Sequence, residues 1–409
     1  MWGYFPKSLM IAAVFLVCLC GAAIAKPQKA DTTEANNADE RFTPVTASIL
    51  GPPPAAFMGA DGMEHLVYEL MLTNAKPATA TLQQVDVVDA ASPARILATF
   101  KEDDLLARLR TLQPRPAGSA TIELNGSRLF FIELTFEPGK VPATISHRLR
   151  LLGAANPGPT TPATALDYRV ATFNPETGSL PILAPPLEGS NWVALNGCCN
   201  SSIVHRGSFQ TVNGGLFDAQ RFAIDYMQLN AQGEFVHGDA ADVRNFVGYS
   251  ANVLAVADGT VVSVLDELDD QVPGTLPDPT TITLGTVDGN HVVLDLGNGR
   301  YAFYAHLKKG SVRVRKGEKV TSGMVIGQLG NSGNTSAPHL HFHVVNSASV
   351  LGSEGMPYVI DGFKLTGKVD VDAFETSETL EGKWGTALDS DIEVTRAFPL
   401  NLDIVEFRQ

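Results

Sequence analysis

The sequence predicts a mainly β protein, and three observations carry that expectation. Apolar and polar residues alternate in short runs, as in His65-Leu66-Val67-Tyr68-Glu69-Leu70 and Leu129-Phe130-Phe131-Ile132-Glu133-Leu134, which is the period of a strand with one buried face. The runs are broken by Gly, Pro and Asn, residues that favour turns. No heptad, phosphate-binding glycine loop or nucleophile elbow interrupts them. At 409 residues, 44% hydrophobic and 18% charged, the chain has material for about two or three domains with ordinary cores. Its net charge of −14 argues against a phosphate-neutralising surface, and so against nucleic acid as a partner.

Residues 1–25 read as an export signal: Lys7 is the positive start, residues 9–20 are apolar, and Ala23-Ile24-Ala25 is a small-x-small cleavage site. The apolar run is too short for a confident membrane span, so the expected location is secreted or periplasmic. Residues 26–44 are polar and read as a flexible leader. Residues 45–153 suggest an antiparallel β-sandwich of immunoglobulin-like size, with one helical turn at 101–109. His65 and His147 stand alone there and read as structural. A Gly/Pro/Thr-rich stretch makes 154–165 the linker. Strand-like segments from 166 to 348 form the second domain, with hairpins expected about Asp258-Gly259 and about residues 297–300. The β-rich tail, 349–409, is expected either to pack on that domain's sheet or to block its groove. Outside the signal the only cysteines are Cys198 and Cys199, which read as two thiols in a turn in preference to a strained bridge.

The histidines are unevenly placed: all nine except His65 and His147 fall between positions 205 and 343. The sharpest motif is Pro338-His339-Leu340-His341-Phe342-His343-Val344, preceded by a Gly/Asn/Ser turn. On a strand the three imidazoles share one face and Leu340, Phe342 and Val344 enter the core. Imidazoles held rigidly on one pleated face suit a borderline cation such as zinc. A second strand, Tyr301-Ala302-Phe303-Tyr304-Ala305-His306-Leu307, also ends in histidine.

With Ala255-Val256-Ala257-Asp258-Gly259-Thr260-Val261, Gly289-Asn290-His291-Val292-Val293, Tyr304-Ala305-His306-Leu307, Lys316-Gly317-Glu318-Lys319-Val320, Gly330-Asn331-Ser332-Gly333 and His339-Leu340-His341-Phe342 in this order, the chain resembles the lysostaphin/LytM-type zinc metalloendopeptidases over about residues 205–346. The resemblance implies an antiparallel sheet with a groove, a zinc ion, and hydrolysis of peptide bonds in bacterial peptidoglycan stems or cross-bridges. It also implies that zinc is held by both ends of a His-x-x-x-Asp motif and by the second histidine of His-x-His. By position those are residue 221, Asp225 and His341, with His306 and His339 as the catalytic histidines that orient water, relay a proton and stabilise the oxyanion.

Residue 221, however, is arginine, whose guanidinium cannot ligate zinc. The turn signal Asn213-Gly214-Gly215 suggests a replacement. If the chain folds back there, paired positions sum to about 429 or 430 and His205 lies opposite 224–225. The expected metal set is therefore His205, Asp225 and His341. Arg221 itself is expected to pair with Asp225, to contact a substrate carboxylate, or to serve a structural ion pair. The alternative is a catalytically degenerate module that binds peptidoglycan or regulates another hydrolase. His343 is expected near the site or at the surface, and His237 and His291 are expected to be bystanders. The loops 269–280 and 330–336 are expected to frame a groove.

Overall fold

Alternation of buried and exposed side chains builds two sheets from the first part of the chain. The computed structural model describes residues 42–113, 115–155, 163–199, 204–377 and 379–408. The expected signal, most of the leader and most of the linker lie outside those residues. One sheet pairs Val45–Ile49, Glu64–Asn74, Ser127–Phe136 and Leu109–Arg110, and the other pairs Thr164–Phe173, Ile145–Ala155, Ala78–Asp89 and Ile96–Lys101. Leu66, Leu70, Phe130 and Ile132 from the first sheet meet Val85, Val87, Leu149 and Leu151 from the second in one core, which makes a sandwich. The helical turn is Glu102–Ala107. Thr164–Phe173, most of which was expected to open the second domain, pairs instead with Ile145–Ala155 from Thr164↔Gly153 onward.

Among the described residues the largest sheet has eleven strands. Its centre runs Asp403–Phe407, Gly189–Leu195, Ile224–Gln228, Leu340–Val345, Tyr301–Leu307, Asn290–Asp295, Gly259–Leu265. The β-rich tail thus supplies sheet strands: Val359–Lys368 and Asp403–Phe407 pair with each other, and the latter pairs with Gly189–Leu195. The turn at 297–300 closes a hairpin, with Asp295 opposite Tyr301. The one expected at Asp258-Gly259 does not form. Asn252–Leu254 pairs with Val325–Gln328, whereas Gly259–Leu265 pairs with Asn290–Asp295 and Lys319–Val320. The local sequence is compatible with a hairpin, but Ala255 and Val256 are buried in the large core and carry the chain from one sheet to the other. The two cysteines, expected as free thiols, are joined as a disulfide.

Residues 43–409 form one compact unit, and the seam between sandwich and large sheet is packed with aromatic rings and hydrogen-bonded. Phe57, from a short strand paired with Glu64–Asn74, packs on Phe222 and Phe398 with ring centres 5.5 and 5.2 Å apart. The Phe398 N–H donates to the Met58 carbonyl at 2.8 Å, and the Ala60 N–H to the Phe398 carbonyl at 3.0 Å. Within the sandwich, the buried His147 donates from Nδ1 to the Ala171 carbonyl, 3.1 Å, and accepts at Nε2 from the Tyr68 hydroxyl, 2.8 Å. That pattern is satisfied by the neutral ring, and burial pushes its pKa down to about 4.

Phe57→Ala is expected to lower stability by about 3–5 kcal/mol in urea unfolding while leaving a single transition, because the seam joins both cores. Acidification is expected to weaken the fold through His147. Below pH 6.5 the unfolded chain takes up a proton that the folded ring refuses. Stability present above that pH is therefore lost as pH falls towards about 4, by about 3 kcal/mol, and a His147→Gln variant loses that part of the pH slope in thermal unfolding.

Candidate metal centre

Four imidazoles and one carboxylate meet at the middle of the large sheet, and strand register brings most of them there. Asp225 lies on Ile224–Gln228, opposite Leu195 on one side and His341 on the other. His341 also faces Ala305, so the end of Tyr301–Leu307 adjoins it. The pairing slips by a residue between Asn290 and Val292, and His306 falls in the slip with a left-handed backbone, φ +60°. A bulge of this kind re-aims a side chain that the regular alternation would send elsewhere. Leu340, Phe342 and Val344 enter the large core on the other face, as the period of two requires.

His205 arrives by a different route from the one expected. The hairpin about Asn213-Gly214 is short, with Gln210 opposite Phe217, so its ladder stops before residue 205. Ile224–Gln228 leaves the hairpin altogether to join the large sheet, where all its residues but Gln228 are buried. His205 sits in a turn, closed by Ser208 donating to its carbonyl from N–H at 3.0 Å and from Oγ at 2.7 Å. Its Nε2 nevertheless lies 3.2 Å from Asp225 Oδ2.

The hydrogen bonds fix the ring tautomers. A backbone carbonyl only accepts, so each ring nitrogen against one must carry the proton. His205 Nδ1 meets the Ala223 carbonyl at 3.1 Å, His306 Nδ1 the Ser332 carbonyl at 2.8 Å, and His339 Nδ1 the Ala337 carbonyl at 2.8 Å. In the neutral rings, Nε2 of each is left with its lone pair. His341 Nδ1 lies 2.9 Å from Asp225 Oδ1, and its Nε2 meets His343 Nδ1 at 2.9 Å. His339 Nε2 lies 3.2 Å from the same Asp225 oxygen.

Burial sets the charges. It pushes His341 down to about 4 and His306 well below the usual histidine range, which keeps both neutral near pH 7. Burial would also raise the Asp225 carboxyl, but the neighbouring His205 and His339 outweigh it and hold it well below the carboxylate range. His339 is desolvated too, yet Asp225 raises it above its ordinary value.

The ligand atoms of His205, Asp225 and His341 lie within 4.8 Å of one another, and so do those of His306, His339 and His341. A carboxylate oxygen and imidazole lone pairs brought together out of water fit a cation such as zinc, with the far nitrogens anchored as metal-binding histidines usually are. The expected set His205, Asp225 and His341 can hold it, with His306 and His339 alongside. His343, left open between site and surface, is fully buried beneath His341 and stacked on Phe303 with ring centres 5.0 Å apart. His237 is exposed, and His291 is tied to Ser263 and to the Gly289 carbonyl.

Arg221 does not touch Asp225. It precedes the strand, in a turn, and binds Glu69 Oε2 at 2.8 Å and Glu354 Oε2 at 2.9 Å. The loop 269–280 is zipped to 330–336, and Pro273, Gly274 and Ser336 from the two line one groove. The N–H of Gln271 donates to the Asn331 carbonyl at 2.7 Å, and that of Gly274 to the Ser336 carbonyl at 2.8 Å. One participant escaped the sequence reading. Asn196 Nδ2 donates to Asp225 Oδ2 at 2.8 Å from a left-handed turn, φ +53°, and its only sequence signal is the Asn-Gly pair at 196–197.

Residues 241–351 match the family model described as Peptidase family M23. The match includes His306, His339 and His341 and stops short of His205 and Asp225. Over 57 residues the chain is 44% identical to the peptidoglycan DD-endopeptidase ShyA of Vibrio cholerae, covering 14% of this chain and 13% of that one. Over 123 residues it is 32% identical to the glycyl-glycine endopeptidase ALE-1 of Staphylococcus capitis, covering 29% and 31%. The chain therefore spans less than a third of the length of these relatives. The catalytic domain of lysostaphin from Staphylococcus simulans is similar at 22% identity and a TM-score of 0.22, covering 36% of this chain and 80% of that one.

Asn196→Gly keeps the left-handed turn and removes only the amide. It is expected to leave the melting temperature of the metal-free protein near that of the parent and to weaken zinc binding about 10–100-fold in a chelator competition.

Proposed function

Because residues 241–351 are a peptidase family M23 domain, we propose that the chain is an exported zinc metalloendopeptidase that cuts peptide bonds in bacterial peptidoglycan. The observation that carries this reading is the buried convergence of His205 and His341 on Asp225, with His306 and His339 beside them. The degenerate-module alternative rested on Arg221. Its force is reduced by a histidine already standing against Asp225, 3.2 Å from its carboxylate.

Zinc, when bound, polarises a carbonyl and lowers the pKa of water towards about 7. The chain's own residues do the rest. Asp225, His205 and His341 present the donors. His306, neutral and anchored through Nδ1, offers Nε2 as an acceptor for a proton from water. Asp225 raises the His339 pKa above its ordinary value, and in its protonated form the ring donates from Nε2, the role an oxyanion or a departing amine requires. Beside Ala337, the residue that anchors His339, runs an apolar groove of about 540 Å³ walled by Phe246, Pro273, Phe374 and Trp384, a place for the peptide flanking the cut bond. The tail contributes Phe374 and Trp384 and so shapes that groove.

Export is supported by the signal-like residues 1–25. Among the described residues no helix is long and apolar enough to cross a membrane.

Metal analysis of the purified chain is expected to find about one equivalent of zinc, and isolated peptidoglycan is expected to release soluble peptides when treated with it. His205→Ala is expected to lose both. Zinc kept without His205 refutes the ligand assignment, and a metal-free parent that cannot release peptides from peptidoglycan supports the degenerate module.

A further inference from the structure

We propose that Glu69 of the sandwich is a positioning residue for the metal centre: by binding Arg206 and Arg221 together it fixes the turn that carries His205, which makes the sandwich part of the active site. The inference rests on the reading of His205 as a ligand and deepens it.

Unlike Asp225 and His341, His205 has no strand ladder to hold it. The residue after it, Arg206, is completely buried, and its anchorage lies in the sandwich. Arg206 Nε donates to Glu69 Oε1 at 2.9 Å, and Nη2 to the carbonyls of Tyr68 at 3.1 Å and Ile132 at 2.7 Å. Nη1 donates to the Cys199 carbonyl, and the guanidinium lies 5.1 Å from the centre of the Phe131 ring. Tyr68 and Ile132 are on paired strands of the sandwich, so the planar fork of Arg206 bridges both. A peptide bond away, His205 inherits that fixed position.

Glu69 is also completely buried, and a lone cation would leave one of its oxygens without a charged partner. Arg221 supplies the second, 2.8 Å from Oε2, and is itself held by Glu354 at 2.9 Å. Burial alone would lower the Arg221 pKa, but Glu69, Asp218 and Glu354 raise it above even its ordinary value. The arginine that removes a ligand from the His-x-x-x-Asp motif is thus the group that keeps Glu69, and through it Arg206 and the His205 turn, in place. The two departures from the family pattern, a lost histidine at 221 and a used one at 205, are one device.

The test uses the full chain in four variants, Glu69→Gln, Arg206→Lys, His205→Ala and Leu149→Ala, the last removing a buried sandwich side chain outside the network. Zinc affinity is read by competition with a chromophoric chelator, and melting temperature is read without metal. Glu69→Gln and Arg206→Lys are expected to weaken zinc about 10–100-fold, while Leu149→Ala lowers the melting temperature at parental affinity. If one of the two network variants does not fold, the other carries the comparison. A folded network variant with parental affinity overturns the proposal, as does a Leu149→Ala variant that weakens zinc equally, since general softening then suffices. If His205→Ala retains parental affinity, the ligand reading falls and this proposal with it. If only the network variants retain it, this proposal alone falls.

Discussion

The rest of the structure is arranged around a carboxylate taken out of water. Asp225 is buried in the centre of a sheet, where an ionised group is costly unless it is paired and hydrogen-bonded. His205, His339, His341 and Asn196 surround it, and each is fixed by something else: a turn, a loop carbonyl, a strand register or a left-handed backbone. The surroundings keep the carboxylate ionised, and the same burial keeps His306 and His341 neutral. One environment therefore produces both donor types that a divalent cation requires.

How much of this was legible in the sequence varied with the range of the interaction. The strand bearing His341 and His343 was readable because side-chain alternation is local, and Leu340, Phe342 and Val344 do enter the core. The mainly β class and the sandwich followed from the same periodicity. The hairpin at Asp258-Gly259 was misread because turn chemistry says what a pair of residues tolerates, while the burial of Ala255 and Val256 decides which strands meet. His205 was placed beside Asp225 from a ladder that does not extend that far. What brings it there is Arg206 and a glutamate 137 residues away, and no local pattern encodes a contact of that separation. Arg221 showed the same limit. Its spacing from Asp225 was visible, but its partners Glu69 and Glu354 were not.

The seam between sandwich and sheet also changes how the first part of the chain is understood. Residues 45–153 are not a self-contained sandwich. Phe57 and Val67 belong to the core of the large sheet, and Glu69 to the buried charges that border the histidine turn. Apolar packing gives that seam its strength. The paired guanidiniums give it direction, because planar forks accept few alternative geometries.

The sheet order also gives the tail a part in guarding the site. Gly189–Leu195, the strand beside Asp225, has Asp403–Phe407 as its other neighbour. Without residues 403–407 that strand would be an edge, its N–H and C=O groups open to pairing with another chain. The tail thus shields the strand next to the buried carboxylate from the side opposite the imidazoles.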